Sequence, residues 1–129
     1  MDIPVGAKGS AEMTVTHDKT AIAVGSGGLE VFATPWMIAM MELAACQALA
    51  PYYDEGQSSV GTKLEITHDA PTPPGMKVCA EAEVTEVDRR RIVFAVKAWD
   101  ETGVIGSGTH ERFLINAEKF LAKTEAKKG

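Results

Sequence analysis

One long apolar stretch, residues 31–50, constrains the fold of this chain more than any other feature. It reads VFATPWMIAMMELAACQALA, and Glu42 carries its only formal charge. Removing an unpaired carboxylate from water is costly, so such a group needs a partner or a chemical use. Burial would also raise the pKa of Glu42 toward neutrality, where a carboxylate can act as a base.

The apolar stretch predicts a helix from about Pro35 to Ala50. Thr34 is a good N-cap residue, and proline is tolerated in the first turn because its missing N–H needs no partner there. Apolar side chains occur on nearly every face, which indicates a central helix wrapped by other structure. The stretch approaches the length of a membrane span, but Pro35, Glu42 and Gln47 interrupt it, so we predict a buried helix.

The rest of the chain has the alternating pattern that is typical of strands. Strands are predicted at residues 10–16, 60–68, 76–87, 91–99 and 104–116, with a proline-rich loop at 70–75 and a short exposed helix in the tail. Segregated elements of this kind indicate an α+β fold in which an antiparallel sheet wraps around one long central helix. The hot-dog fold has this arrangement, although other α+β rolls share the pattern. Residues 1–129 are predicted to form a single domain.

Composition excludes several classes of function. The chain has 129 residues and a formal net charge of −5, which argues against a nucleic-acid-binding protein. The same charge fits a small-molecule enzyme and a small-molecule binding protein equally well. Cys46 and Cys79 belong to no CxxC pair or Cys/His cluster, so we expect reduced thiols rather than a disulfide or a zinc site. No signal-peptide pattern is visible at the N-terminus, and we expect a cytoplasmic protein.

Four residues could join Glu42 in a functional site. Thr34 opens the helix, His68 ends a predicted strand, Gly61 lies near the start of that strand, and Arg112 lies in the last strand. Each also has a structural explanation. Thr34 could be only an N-cap, Gly61 only a β-bulge, and Arg112 a surface ion pair or a buried structural partner of Glu42. His68, at a strand end before a proline-rich loop, could be a structural or exposed histidine.

The segment THER (109–112) contains a further titratable residue, His110, next to the strand position of Arg112. His110 and Arg112 are predicted on one face of the last strand, with Thr109 and Glu111 on the other. His68 likewise shares a strand face with apolar neighbours.

Together these groups favour acyl transfer to water. A carboxylate can act as a general base or nucleophile, and a neighbouring imidazole can transfer the proton. A hydroxyl can attack or hold the reacting group, and bare backbone N–H groups can stabilise an oxyanion. An arginine can bind a carboxylate or phosphate of the substrate. From the residues alone this reaction is one hypothesis among others.

Three separated blocks of the sequence resemble the fluoroacetyl-CoA thioesterase-like family of hot-dog proteins. The blocks are VFATPWMIAMMELA, APYYDEGQSSVGTKLEITHDAPTPPG, and GSGTHER followed by EKF, and they extend from about Val31 to Phe120. The resemblance implies a hot-dog fold and an acyl-CoA thioesterase that releases free acid and CoA without a metal or organic cofactor. It also implies a homodimer, or a dimer of dimers, with the active site beside the subunit interface.

The resemblance also implies roles for individual residues. The catalytic threonine falls at Thr34, the catalytic glutamate at Glu42 and the catalytic histidine at His68. The glycine that contacts the thioester region falls at Gly61, and the arginine near the substrate falls at Arg112. Glu42 would then activate water or attack the carbonyl, and His68 would relay the proton to the leaving thiolate.

One segment departs from the family pattern. Before VFAT the chain is shorter and contains GSGG (25–28) in place of an aromatic-containing lid, and Pro35 follows Thr34 where a smaller residue is found. We therefore expect a thioesterase that is not selective for fluoroacetyl-CoA and accepts a larger acyl group. The alternative is a non-catalytic acyl-CoA-binding protein. An enoyl-CoA hydratase is disfavoured, because no Asp/His arrangement fits it better than Glu42 with His68.

Overall fold

The computed structural model describes residues 2–129 as a curled antiparallel sheet with a long helix against it. The elements, in chain order, are β1 (Lys8–Thr14), α1 (Ala21–Val24), α2 (Thr34–Leu49), β2 (Gln57–His68), β3 (Lys77–Asp88), β4 (Arg91–Asp100), β5 (Gly103–Asn116) and α3 (Ala117–Glu125). The five strands are ordered β1-β3-β4-β5-β2, and every neighbouring pair is antiparallel. The predicted α+β architecture is confirmed.

Helix α2 begins at Thr34, one residue earlier than predicted. Ala33 occupies the N-cap position without a side-chain hydrogen bond, and Pro35 follows in the first turn. The proline costs no hydrogen bond there, because N–H groups of the first turn have no intrahelical partner. The prediction that Thr34 caps the helix is therefore wrong, and its hydroxyl is available to another partner.

The sheet covers one face of α2 and leaves the opposite face open. The covered face consists of fully or almost fully buried residues: Met37, Met40, Met41, Ala44, Ala45, Ala48 and Leu49. The open face carries Pro35, Ala39 and Leu43 at helical spacing, and Leu43 is 53% exposed. These three residues are apolar. Helix α2 therefore has apolar side chains on all sides, as a fully buried helix does, although a single chain covers only one of its faces.

The strands agree with the predicted ones, with their ends shifted by one to three residues. The alternation predicted for β5 is confirmed, because His110 and Arg112 are buried while Glu111 on the other face pairs with Arg91. The pairing of β2 with β5 shifts register between Gly61 and Lys63. Gly61 therefore borders a β-bulge, which is one of the two roles considered for it.

The segment between β1 and α2 contains the short helix α1. Thr20 caps this helix by accepting a hydrogen bond from the Ala23 N–H, and Gly25 ends it in a left-handed conformation with φ 88°. Thr20 also donates to the His17 carbonyl at 2.7 Å. His17 contacts Glu30 at 2.9 Å, so side chains near both ends of the segment are joined.

The tail forms the predicted exposed helix, α3. The Asn116 side chain caps it by accepting a hydrogen bond from the Lys119 N–H at 3.0 Å. Cys46 on α2 and Cys79 on β3 are free thiols, each half-buried. Within residues 2–129, none of the helices has the length and apolar character needed to cross a membrane.

A close approach between β1 and α2 depends on Gly9. A Cβ atom at this position would lie 2.1 Å from the Ala44 carbonyl oxygen and 2.5 Å from the Ala48 nitrogen. Both are helix backbone atoms, which cannot move aside as the end of a side chain can. The Ser10 N–H donates to Gln47 Oε1 at 3.3 Å, so α2 also occupies part of the outer edge of β1.

Replacing Gly9 by alanine should lower the free energy of unfolding by about 1–3 kcal/mol, because overpacking at a tight contact costs this amount. Gly28→Ala is the matched control, since its added methyl group meets nothing within 4 Å. The control should stay within about 0.5 kcal/mol of the unmodified protein. Urea denaturation measures both variants, and equal stabilities would contradict the close approach of β1 to α2.

Candidate active site

Thr34 and His68 form the first polar pair of the site. The start of α2 and the end of β2 bring Thr34 Oγ1 within 2.7 Å of His68 Nδ1. Burial lowers the pKa of His68 below its ordinary value of 6.5, while a backbone hydrogen bond at Ala70 and the charge of Asp69 partly oppose this shift. The imidazole is therefore neutral at neutral pH and able to accept a proton.

The second ring nitrogen of His68 has no partner. His68 Nε2 is buried and forms no hydrogen bond with any of residues 2–129. An unsatisfied buried polar atom costs about 1–3 kcal/mol, and native proteins leave few of them. The neighbouring residues therefore enclose this polar atom without satisfying it.

Glu42 lies two turns along α2 and pairs with Arg112. Arg112 Nη1 is 3.6 Å from Glu42 Oε2, and the Glu42 side chain is 38% exposed. The expectation of a fully buried carboxylate is thus wrong for the single chain, because the open face of α2 begins beside it. About 12 Å of helix rise separates Glu42 from Thr34. The single chain therefore holds two separate polar pairs.

Neutral groups hold the Arg112 guanidinium in place. Its Nε donates to Ser59 Oγ at 2.8 Å, and its Nη2 donates to the Ser59 carbonyl at 3.0 Å. The Tyr53 hydroxyl hydrogen-bonds the same Ser59 hydroxyl at 2.7 Å, and burial raises the pKa of Tyr53. Arg112 is only 6% exposed. Burying an unpaired guanidinium would destabilise the fold, and these hydrogen bonds together with the charge of Glu42 offset that cost.

His110 supplies a further contact to Arg112, although the sequence assigned it no role in the site. Arg112 Nη1 donates to His110 Nε2 at 3.2 Å, so the imidazole proton lies on Nδ1, which donates to the Lys63 carbonyl at 2.9 Å. Burial lowers the pKa of His110, and the charge of Arg112 adds to this shift. A neutral His110 therefore orients Arg112. The sequence signal for it is the alternation in THER, which places both side chains on one face.

Gly61 leaves the space in which Glu42 and Arg112 meet. A Cβ atom at this position would lie 2.6 Å from Glu42 Oε2, 3.1 Å from His110 Cε1 and 3.3 Å from Arg112 Nη1. In the pairing of β2 with β5, Gly61 lies opposite Arg112, directly before the bulge. The residue thus borders a bulge and also leaves bare backbone beside a carboxylate.

An open cavity of about 270 Å³ adjoins the Thr34–His68 pair. Its lining residues are Ala21, Ser26, Val31, Phe32, Thr34, His68, Asp69, Ala70 and Pro71. Phe32, which is buried, is the one aromatic residue of that lining. Residues 22–30 are exposed, and of these Ser26 lines the cavity. The GSGG segment therefore borders the cavity through a small side chain.

The arrangement provides two halves of an acyl-transfer site. Thr34 with neutral His68 offers a hydroxyl next to a base, and Glu42 with Arg112 offers a carboxylate next to a fixed cation. Among residues 2–129, no three His, Cys, Asp or Glu side chains converge in a way that could hold a metal ion. All five predicted site residues belong to one of the two halves or border it.

Comparisons with known proteins reveal similarity over most of the chain. Residues 15–118 match the model of the FlK family, described as fluoroacetyl-CoA-specific thioesterase. The fluoroacetyl-CoA thioesterase of Streptantibioticus cattleyicolor is 49% identical over 98 residues, which are 76% of this chain and 70% of that protein.

Solved structures of thioesterases share the fold. A structure of the fluoroacetyl-CoA thioesterase FlK has a TM-score of 0.92 and 40% identity, and the match covers 98% of each chain. Variants of FlK have been solved with acetyl-CoA and with fluoroacetate and CoA. A thioesterase superfamily member from Thermus thermophilus has a TM-score of 0.90 and 31% identity, over 98% of this chain and 94% of that chain. The curled sheet with its long helix is a hot-dog fold, as the resemblance implied.

The free energy of unfolding should decrease as the pH falls below 6.5. His68 and His110 both have a pKa below 6.5 in the folded chain, so the unfolded chain binds more protons in this range. Stability therefore rises with pH until the histidines of the unfolded chain have lost their protons, about one pH unit above 6.5, and beyond that these two groups add no further change. Urea denaturation between about pH 5 and pH 8 measures the effect. His110→Gln should remove part of the dependence, and a curve that rises toward pH 5 would contradict the assignment of neutral imidazoles.

Proposed function

Since the chain belongs to the fluoroacetyl-CoA-specific thioesterase family and is a thioester hydrolase, we propose that it hydrolyses an acyl-CoA to a free acid and CoA. The observation that carries this proposal is the hydrogen-bonded Thr34–His68 pair beside an open cavity. We infer that Thr34, Glu42 and His68 are the catalytic groups. Gly61 and Arg112 contact the substrate in this proposal.

In the proposed reaction, His68 first accepts the proton of the Thr34 hydroxyl. The distance of 2.7 Å between Oγ1 and Nδ1 suits this transfer, and the lowered pKa keeps the imidazole free to accept. Thr34 then attacks the thioester carbonyl or hydrogen-bonds the reacting group. When Thr34 attacks, the C–S bond breaks, His68 gives its proton to the leaving thiolate, and CoA leaves as the thiol. Water then cleaves the acyl–Thr34 ester, which gives the free acid and restores the Thr34 hydroxyl. When Thr34 only hydrogen-bonds the reacting group, water attacks the thioester directly, and the proton that it loses goes to the thiolate.

Glu42 activates the water or attacks the carbonyl itself. The two routes differ in whether an anhydride forms between the acyl group and the carboxylate. Both need a carboxylate that is accessible and oriented, and Glu42 is half-exposed with Arg112 beside it. Bare backbone at Gly61 lies next to the same carboxylate, where an N–H group can stabilise an oxyanion.

We propose that a second copy of the chain completes the site. Strand β2 is 12 residues long and forms one edge of the sheet, with no strand on its outer side within residues 2–129. A long exposed edge strand pairs readily with another chain, and a two-fold homodimer is the commonest closed assembly. Glu42 lies between this edge and the open apolar face of α2, so a chain added along β2 would cover both.

Antiparallel pairing of two β2 strands would unite the two halves of the site. In that pairing the His68 end of one strand lies beside the beginning of the other strand. The partner subunit's Glu42 would then approach Thr34 and His68 of the first copy.

We propose an acyl group larger than fluoroacetyl. The open cavity of about 270 Å³ lies beside the Thr34 hydroxyl. The GSGG segment stands where the family pattern has an aromatic-containing lid. Ser26 of that segment lines the cavity with a small side chain, and the aromatic Phe32 of the lining is buried, so the segment leaves space for a longer acyl group.

The function is tested with fluoroacetyl-CoA and straight-chain acyl-CoAs of increasing length, using a thiol-detecting reagent. We expect thiol release, with a higher kcat/KM for longer acyl groups than for fluoroacetyl-CoA. Glu42→Gln keeps the shape of the side chain but removes its charge, and it should lower kcat about 10²–10⁴-fold. The glutamine oxygen can still accept a hydrogen bond from Arg112, so this variant should remain folded.

The possible results separate the claims. No thiol release at any chain length from a folded protein would refute hydrolysis, and binding of acyl-CoA without turnover would favour the non-catalytic binding protein. A preference for fluoroacetyl-CoA would refute only the proposed acyl group. An unchanged kcat in Glu42→Gln would make the carboxylate a structural partner of Arg112.

The proposed dimer predicts that Leu43→Glu yields a monomer with little activity. The substitution puts a charge into the open apolar face of α2, where burial against a second copy would be costly. Light scattering coupled to size-exclusion chromatography measures the mass. Val5→Glu is the control, because Val5 is also largely exposed but lies outside α2 and β2. A monomeric unmodified protein, or a dimeric Leu43→Glu variant, would contradict the proposed interface.

A further inference from the structure

A buried carboxylate, Asp100, lies outside the candidate active site and has no cationic partner. It is the last residue of β4 and is only 7% exposed. No ion pair among residues 2–129 includes it. Its Oδ2 accepts a hydrogen bond from the Thr72 hydroxyl at 2.7 Å, and its Oδ1 accepts from the Thr102 N–H and hydroxyl at 2.8 Å each. A buried charge without a cation is costly unless its hydrogen bonds compensate, so the ionised form depends on these bonds.

The hydrogen bonds keep Asp100 ionised. Burial acts to raise the pKa of its carboxyl group, but the hydrogen bonds from Thr72 and Thr102 outweigh burial, and the pKa lies below its ordinary value of 3.8. Asp100 is therefore a carboxylate at neutral pH. The hydrogen bond that Thr72 donates to it is charge-assisted, and such bonds are about twice as strong as neutral ones.

The two oxygen atoms of Asp100 have different roles. Oδ1 bonds Thr102, two residues further along the chain, and so belongs to the turn between β4 and β5. Oδ2 bonds Thr72, which is 28 positions away in the proline-rich loop and is fully buried. The turn uses Oδ1 alone. The bond at Oδ2 therefore holds the loop.

Thr72 joins the two walls of the cavity. The segment 31–34 supplies one wall and the segment 68–71 supplies the other. Thr72 follows directly after the second segment, and its carbonyl accepts a hydrogen bond from the Phe32 N–H of the first at 2.8 Å. The hydroxyl of the same residue bonds Asp100. One residue thus connects both walls to a buried charge.

Prolines limit how else this loop can be held. Pro71 and Pro73 flank Thr72 and have no N–H group, so neither can donate a backbone hydrogen bond to the rest of the fold. The Ala70 N–H, 3.2 Å from the Ile105 carbonyl, ties the loop to the sheet just before them. The Thr72 hydroxyl therefore anchors the middle of the loop.

We propose that Asp100 is a positioning residue of the active site, which acts through Thr72 to set the spacing between Thr34 and His68. The inference rests on the function proposed for that pair. Thr34 follows Phe32 by two residues, and His68 precedes Thr72 by four, so Thr72 is linked to both through short stretches of chain. A displacement of about 1 Å between reacting groups can lower a rate about 10²-fold. The anchor at Asp100 opposes such a displacement.

Kinetics of hydroxyl-deleted variants test the anchor. Thr72→Val removes the hydroxyl but keeps the shape of the side chain, and it should lower kcat for an acyl-CoA about tenfold or more. Thr72→Ser keeps the hydroxyl and should restore most of the rate. Thr102→Val is the matched control, because it removes a hydroxyl donor 2.8 Å from the same carboxylate on the side of the turn. Equal kcat losses in Thr72→Val and Thr102→Val would overturn the proposal, since Asp100 would then act only on the fold.

The pKa of His68 is a readout that requires no turnover. Burial lowers this pKa, so a displaced loop that admits water should raise it toward 6.5. NMR titration of the imidazole measures it, and His68→Gln identifies the signal among the 3 histidines. We expect a rise in Thr72→Val and a smaller rise in Asp100→Asn, whose amide can still bond the Thr72 hydroxyl. Thr72→Ser and Thr102→Val should show no change.

The direction of the shift separates displacement from electrostatics. Loss of the Asp100 charge alone would lower the pKa of a histidine. A rise in Asp100→Asn therefore reports a displaced loop. A fall in Asp100→Asn together with an unchanged pKa in Thr72→Val would overturn the proposal.

The double variant Thr72→Val/Asp100→Asn tests whether Asp100 acts through Thr72. If it does, both substitutions break the same link, and the double variant should have the kcat of Thr72→Val alone. Losses that multiply would show independent actions and would overturn the proposed route. If Thr72→Val does not fold, Asp100→Asn decides alone, because its amide oxygen still accepts from Thr102 and preserves the turn. An unchanged kcat in Asp100→Asn would then count against the proposal.

The remaining outcomes separate this inference from the proposed function. If the unmodified protein hydrolyses acyl-CoA and Thr72→Val has the same kcat, the positioning role fails and the thioesterase function stands. If the unmodified protein releases no thiol, the proposed function fails. The titration of His68 then decides the positioning role by itself, because an unchanged pKa in Thr72→Val would overturn it.

Discussion

The buried guanidinium of Arg112 is the constraint on which the rest of the site depends. A buried cation is tolerated only when its N–H groups have acceptors and its charge has a partner. Ser59 on β2 and His110 on β5 accept hydrogen bonds from Arg112, and Glu42 on α2 supplies the opposite charge. This requirement explains why position 61 is a glycine, why His110 is buried and neutral, and why the apolar helix α2 carries the charge of Glu42. Glu42 is held in place by the cation, and its exposed part remains available for chemistry.

Local periodicity was sufficient to predict the elements that carry these groups. The period of two in β5 placed His110 and Arg112 on one face, and both are buried there. The apolar run ending at Pro51 predicted α2 to within a residue at each end. Such features depend on consecutive residues, so the sequence contains them directly. The resemblance to a family indicated which residues of these elements belong to the candidate site.

Contacts between distant residues could not be obtained in this way. Thr34 and His68 are 34 positions apart, and Arg112 and Ser59 are 53 positions apart. Whether the Thr34 hydroxyl caps its helix or bonds His68 depends on where β2 ends in space. The partial exposure of Glu42 likewise depends on how far the sheet curls around α2. The division of four predicted residues into two pairs, with Gly61 beside the Glu42–Arg112 pair, is therefore a result of the tertiary structure alone.

Two incomplete features of the single chain lie along one seam. Within residues 2–129, the outer edge of β2 has no neighbouring strand, and the open face of α2 is apolar. A second copy placed antiparallel along β2 would address both, because it supplies a strand and an apolar helix face. The same operation would bring the Thr34–His68 end of one copy beside the beginning of β2 in the other, where Arg112 holds Glu42. The two polar pairs that a single chain keeps apart would then meet at the seam.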